Sequence, residues 1–231
     1  PDAKTFLKTL KLLAKTTDRG EGLKKVASAV LRGTEKVVEA FGGESPTLKS
    51  LGGHPETHIL GETFYTMVPF LYGPYFAKLS VVPVAPELTA LTDAPVEVNG
   101  EPDGLREAVK AHFAQHGGAW EIRVQLGVDI EQTPIEDASV VWPEELTPYV
   151  TVARLEVPPQ PAWNEARSRA VDDAMVFSPW HGLAAHRPLG GIMRSRRPAY
   201  EMSSQFRSER NGCPLHLSLI HISEPTRPER I

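Results

Sequence analysis

Ala119-Trp-Glu-Ile-Arg-Val-Gln-Leu-Gly-Val128 is the stretch that decides the fold class. Trp120, Ile122, Val124 and Leu126 alternate with Glu121, Arg123 and Gln125, a period of two that predicts a strand with one buried and one wet face. Clean alternation of this kind belongs to antiparallel sheets. Parallel strands, covered on both faces, read instead as continuous apolar runs.

The neighbouring sequence extends this reading. Residues 105–116 predict a short helix closed by Gly117-Gly118, and residues 149–157 a further strand. Upstream, residues 62–70 and 75–84 are two β-rich runs around Tyr72-Gly73-Pro74, which predicts a hairpin. Asn99-Gly100 marks a turn. Near the start, Asp2 is placed to cap a helix over residues 2–16, with Phe6, Leu7, Leu10 and Leu13 at helical spacing. A second helix is expected over 21–41, its stripe made by Leu23, Val26, Ala27, Val30, Val37 and Val38. Residues 45–61 read as loop. Helices, then antiparallel strands with one inserted helix, then a helical segment predict an α+β fold. Its sheet is expected to curl into an antiparallel barrel with flanking helices.

The chain has 231 residues, enough for one large domain and at most two. Its net charge of −4 provides no basic field for nucleic acid. The single cysteine, Cys213, excludes a disulfide framework and any cysteine-based zinc or iron–sulfur site. No apolar run approaches the ~18 residues of a membrane span. The chain opens at Pro1-Asp2 without Met, so an N-terminal segment is expected to be missing. The compartment stays open between cytoplasm and periplasm, as does homo-oligomerisation.

Chemistry concentrates in residues 179–212, which are dense in Arg and His and helix-compatible after Leu189. Arg196 and Tyr200 are four apart, and Tyr200 and Arg207 seven apart, so on a helix the three share a face. A guanidinium close to a phenol favours the phenolate, a hard anionic ligand for ferric iron. An Arg two turns on is placed to pair with a haem propionate. The same spacing has a plainer use, in which Arg covers apolar surface with its stem and Tyr packs at the core rim.

Two blocks carry a resemblance. Glu136-Asp-Ala-Ser-Val-Val-Trp-Pro143 resembles the catalase stretch with Val-Trp-Pro before a strand. Phe177-Ser-Pro-Trp-His-Gly-Leu-Ala-Ala-His-Arg-Pro-Leu-Gly-Gly-Ile-Met-Arg-Ser-Arg196 resembles the signature of small catalase-family proteins, and Arg196-Arg-Pro-Ala-Tyr200 matches the proximal motif of the haem catalase family. The resemblance covers residues 1–214 and is specific over 136–211. It implies a haem b cofactor, Tyr200 as iron ligand, Arg196 as its hydrogen-bond donor and Arg207 as a propionate contact. It also implies a small peroxide as substrate. The family's distal His and Asn are expected upstream of Pro1, so this chain, a fragment, is expected to be a poor catalase. The alternatives are a haem module with other peroxide chemistry, or a non-haem barrel binding an apolar small molecule. Pro198 lies between Arg196 and Tyr200 and is expected to kink a helix or to open one.

Other signals weigh less. His54 and His58 have metal-ligand spacing but sit in a Pro- and Gly-rich loop. His181 and His186 are expected to cap turns and pack near the sheet rather than touch a cofactor. Asp172 and Asp173, adjacent on a helix, point apart and make a poor acid–base dyad. Residues 217–231 resemble translated sequencing-adapter sequence. Residues 215–231 are therefore expected to be a non-native or disordered tail behind a domain of residues 1–214.

Overall fold

The computed structural model describes residues 56–98 and 100–211, with Ala3, Lys4, Thr5, Leu7, Lys8 and Lys11, which are helical. The helix expected over 21–41, His54, Asn99 and the tail from 212 lie outside the described residues.

Five antiparallel strands form one sheet: β1 (Phe64–Tyr65), β2 (Phe70–Tyr72), β3 (Tyr75–Pro83), β4 (Gly118–Leu126) and β5 (Val150–Val157). The order is β1-β3-β4-β5, with β2 also pairing β3. The expected hairpin is present. Tyr72 faces Tyr75 across a two-residue turn, and Gly73 has φ +62. A positive φ there followed by proline's fixed negative φ is the pattern of a type II′ turn, whose twist suits the flanking strands. The expected strand over 62–70 is split in two. Thr66 still pairs with Leu79, through its amide and its hydroxyl. Pro69, fully buried, then interrupts the run, having no N–H to give the ladder.

The expected barrel does not close. Among the described residues no strand pairs the outer edge of β5, and β1 is two residues long. Closure with a filled interior takes about eight strands. The far end of the sheet is correspondingly open, with Val150 58 % and Leu155 48 % exposed. What forms is an α+β fold around an open antiparallel sheet.

Helix α1 (Pro86–Thr89) and helix α2 (Gly104–Gln115) close one end of the sheet. Leu88, Phe113 and Trp120 form the core there, with Leu60, Val81, Ala85, Val109 and Val157 packed around them. Both α2 and β4 thus follow the expected pattern, but the alternation along β4 is only half right. Gln125, on the face predicted to be wet, is buried. Its amide donates to the carbonyls of Trp142 (3.2 Å) and Thr147 (2.9 Å), so the polar group is satisfied and the face is covered.

Trp142 is the cover. It is 2 % exposed, stands edge-on to Phe76 at 5.7 Å and donates its indole N–H to the Pro134 carbonyl. Lys78 lies over its ring at 4.7 Å, and burial pushes the Lys78 amine below its usual range. A cation held against an indole face keeps a favourable partner after losing water.

After β5 come a one-turn helix α3 (Glu165–Ser168), a π turn (Arg169–Asp173) and two 3-10 turns (Pro179–His181 and Ala184–His186). The long helix α4 (Gly190–Asn211) ends the described chain.

Candidate functional site

Helix α4 is fixed at its start by the Glu136 block. Glu136 accepts from the Gly191 amide (2.6 Å) and from Arg194 (3.1 Å), so an acid sits on the helix N-terminus, where orphan amides and the dipole favour it. Gly190 has φ +86, and a Cβ there would lie 2.8 Å from the Ile135 carbonyl oxygen. Only glycine permits this close approach. Ile192 and Met193 are buried beneath the first turns. The eight residues 136–143 therefore join two distant parts of the fold. Glu136 anchors α4, Asp137 accepts from the Ser139 amide and hydroxyl, and Trp142 plugs the sheet. These Ser139 bonds, chiefly the hydroxyl, hold the Asp137 carboxyl below its usual range.

Tyr200 and Arg196 meet as the spacing predicts. Arg196 donates to the Tyr200 phenolic oxygen at 2.9 Å, and its guanidinium carbon lies 5.5 Å from the ring centre. Both side chains are half-buried. Pro198 sits inside α4, not at its first turn. It removes one backbone bond, to Arg194, yet the flanking turns hold the helix and keep Arg196 and Tyr200 on one face.

Tyr200 lines a groove of about 630 Å³, within the usual range for small-molecule sites. Its walls include Ser178, Trp180, His181, Arg197, Glu201 and Ser204. The Trp180 ring stands edge-on to Tyr200 at 5.7 Å. Ser178 places Trp180 by accepting its amide at the start of the 3-10 turn.

Arg207 is placed differently. Its guanidinium donates to the carbonyls of Asp172 and Met175, at the end of the π turn, and it is not among the residues lining the groove. Beside it, Asn211 donates to the Asp173 carbonyl at 3.3 Å. Arg207 thus closes the carbonyl end of the 169–175 segment and holds that segment against α4. Asp172 and Asp173 do not act as a pair. The Asp172 carboxylate accepts from Ser168 at 2.6 Å.

The histidines separate. His186 stacks on Tyr72 at 5.6 Å, while Leu71, Gly73 and Leu189 tie its turn to the sheet through backbone bonds. His181 is exposed and lines the groove with Tyr200. His58 is buried against α2, edge-on to His112 at 6.3 Å. Among the described residues no group of three or more His, Cys, Asp and Glu could hold a metal. Ligation by one phenolate needs no such group. Sequence reasoning missed two parts of the site, Trp180 and Arg197. Trp180 carried a signal, Ser178-Pro179 before an aromatic, which is a start pattern for a helical turn.

No family model matches the chain, and no curated protein matches it. Solved structures do. A fungal catalase aligns with TM-score 0.50 at 17 % identity, over 67 % of this chain and 32 % of its own. Catalase A from Saccharomyces cerevisiae aligns with TM-score 0.51 at 16 % identity, over 67 % of this chain and 33 % of its own. The chain has a catalase-like fold. A bacterial catalase aligns with TM-score 0.51 at 14 % identity, over 80 % of this chain and 36 % of its own. The chain thus spans about a third of the length of the catalases it matches, and at these identities the likeness concerns fold alone.

Proposed function

We propose that this catalase-like chain binds haem b through Tyr200 and is part of a protein that decomposes hydrogen peroxide or uses it for oxidation. The observation that carries the reading is the Arg196–Tyr200 hydrogen bond on the wall of a ligand-sized groove. A phenolic oxygen that accepts from a guanidinium is held in one orientation by a strong donor, as an oxygen ligand for iron would need to be. One phenolic oxygen with a fixed guanidinium donor is a donor set that ferric iron would accept.

A bound haem supplies redox-active iron, and the chain's own residues do the rest. Tyr200 would hold the iron through its phenolic oxygen, Arg196 fixes that oxygen by donating to it, and Trp180 supplies aromatic surface beside it. Arg207 supports this arrangement by fixing the 169–175 segment to α4; to reach a propionate it has to leave two carbonyls. The assigned residues all belong to the iron-ligating side. A barrel binding an apolar molecule has less support, because among the described residues the sheet does not close into a barrel.

The test is titration with hemin. A saturable high-spin ferric spectrum with a phenolate charge-transfer band supports the proposal; a spectrum of free hemin at all ratios contradicts it.

A further inference from the structure

We propose that Tyr65 and Tyr149 form an oxidative modification site, at which hydrogen peroxide activated by a haem peroxidase joins the two phenol rings through a carbon–carbon bond. The bond ties β1 to β5, the outer strands of the open sheet. The proposal does not need haem in this chain, because any peroxidase that activates peroxide supplies the oxidant.

The two rings come from opposite ends of the sheet. Tyr65 belongs to β1 and pairs with Ser80 on β3, which in turn pairs with Arg123 on β4. Tyr149 immediately precedes Val150, the first residue of β5, which pairs with Val124. Side chains alternate along a strand, so Tyr149 stands on the face opposite to Val124, the face that Arg123, Ser80 and Tyr65 share. Three strand spacings, about 14 Å, separate the two strands. The rings nevertheless meet edge-on, with centres 5.8 Å apart. Both backbones are held beside the rings. Thr66 bonds to Leu79 through its amide and its hydroxyl, and the Thr147 hydroxyl donates to the Leu126 carbonyl. The contact is therefore set by the curl of the sheet.

The chain has five tyrosines, and the other three are placed differently. Tyr200 accepts from Arg196, and Tyr72 stacks on His186. Tyr75 faces Tyr72 across the hairpin and makes the one competing pair. An edge-on contact alone would be served as well by phenylalanine. Two phenols in contact add a reaction. Tyr65 is 63 % exposed, so a soluble oxidant reaches it and its ring has room to turn. Burial, then Tyr65 and Glu144, push the Tyr149 phenol above its usual range, so it reacts as the neutral phenol. Each phenol gives up one electron and its hydroxyl proton. The two phenoxyl radicals join at ring carbons next to the oxygens, and the hydrogen on each of those carbons moves to oxygen. Hydrogen peroxide takes up the two electrons and two protons and leaves as two waters. The product is a biphenol two hydrogens lighter than the separate rings.

The experiment treats the full chain, without hemin, with hydrogen peroxide and a separate haem peroxidase. It reads the blue fluorescence of the biphenol in the monomer, the intact mass and the cross-linked peptides. The expected result is a fluorescent monomer lighter by two hydrogens, with the bond mapped to Tyr65 and Tyr149. Tyr65→Phe and Tyr149→Phe keep the aromatic contact and should each abolish the monomer signal, whereas Tyr75→Phe should leave it intact. The cross-linked chain should melt about 10 °C higher, because the bond closes a long loop of the unfolded chain. No biphenol in the monomer, biphenol only between chains, or a bond mapped to Tyr72 and Tyr75 overturns the assignment. An undiminished signal in Tyr65→Phe or Tyr149→Phe does the same, and an unaltered melting midpoint overturns the claim that the bond ties the sheet. No step uses haem bound to this chain, so this result and the hemin titration stand or fall separately.

Discussion

Trp142→Ala should be among the most damaging single substitutions in the described fold, although Trp142 is not assigned to the groove. The indole is 2 % exposed and fills the space between Phe76, Lys78 and the Pro134 carbonyl. Truncating a buried Trp to Ala costs about 3–5 kcal/mol. That compares with about 5–15 kcal/mol for the whole stability of a domain. For a chain of this size each kcal/mol moves the midpoint by about 2–4 °C, so the melting temperature should fall by ~6–20 °C. Trp142→Phe keeps most of the ring and loses the N–H, and should cost about 1–2 kcal/mol. The assay is thermal unfolding followed by circular dichroism. Hemin affinity is measured separately at 15 °C and should stay within about threefold of wild type, because Trp142 is not among the residues lining the Tyr200 groove. A melting temperature lowered by less than ~3 °C would refute the view that Val-Trp-Pro is a plug beneath the sheet. A collapse of hemin affinity without loss of stability would show that the motif acts in the site.

Glu136→Ala removes the acid that caps α4 and should cost about 0.5–2 kcal/mol, read as a lowered midpoint in urea; an unchanged midpoint contradicts the capping role. Gly190→Ala forces a side chain into φ +86 and towards the Ile135 carbonyl, and should destabilise by at least ~2 kcal/mol, whereas a neutral effect would mean the 135–191 contact is absent. Burial, and then the facing His112, hold His58 below its usual range, so the folded form keeps it neutral. The unfolded chain takes up that proton near pH 6.5, so the stability His58 contributes is fully present above about pH 6.5 and lost as pH falls below it. His58→Gln should flatten the loss of stability between about pH 7 and 5; an unaltered slope counts against this.

The parts of the fold legible in the sequence were those governed by local rules. The period of two in β4, the Gly-Pro hairpin and the helix ending before Gly117-Gly118 all follow from backbone chemistry within a few residues. The barrel was not legible, because closure depends on how many strands meet and at what length. The bend at Met67-Val68 and Pro69 after it reduce the expected 62–70 strand to two short pieces. The burial of Gln125 was hidden for a similar reason, since its partners lie 17 and 22 residues away. In the site, the four-residue spacing delivered the Arg196–Tyr200 bond despite Pro198. The fate of Arg207 needed tertiary knowledge, as its two acceptors are 35 and 32 residues upstream.

The most direct test of the account is the ferric spectrum of the hemin-saturated chain, compared between wild type and Tyr200→Phe, with thermal unfolding to confirm that both are folded. The phenolate charge-transfer band should be present in wild type and absent in Tyr200→Phe, with little change in melting temperature of the hemin-free proteins. An identical spectrum in the two would contradict it and place the ligand on another residue.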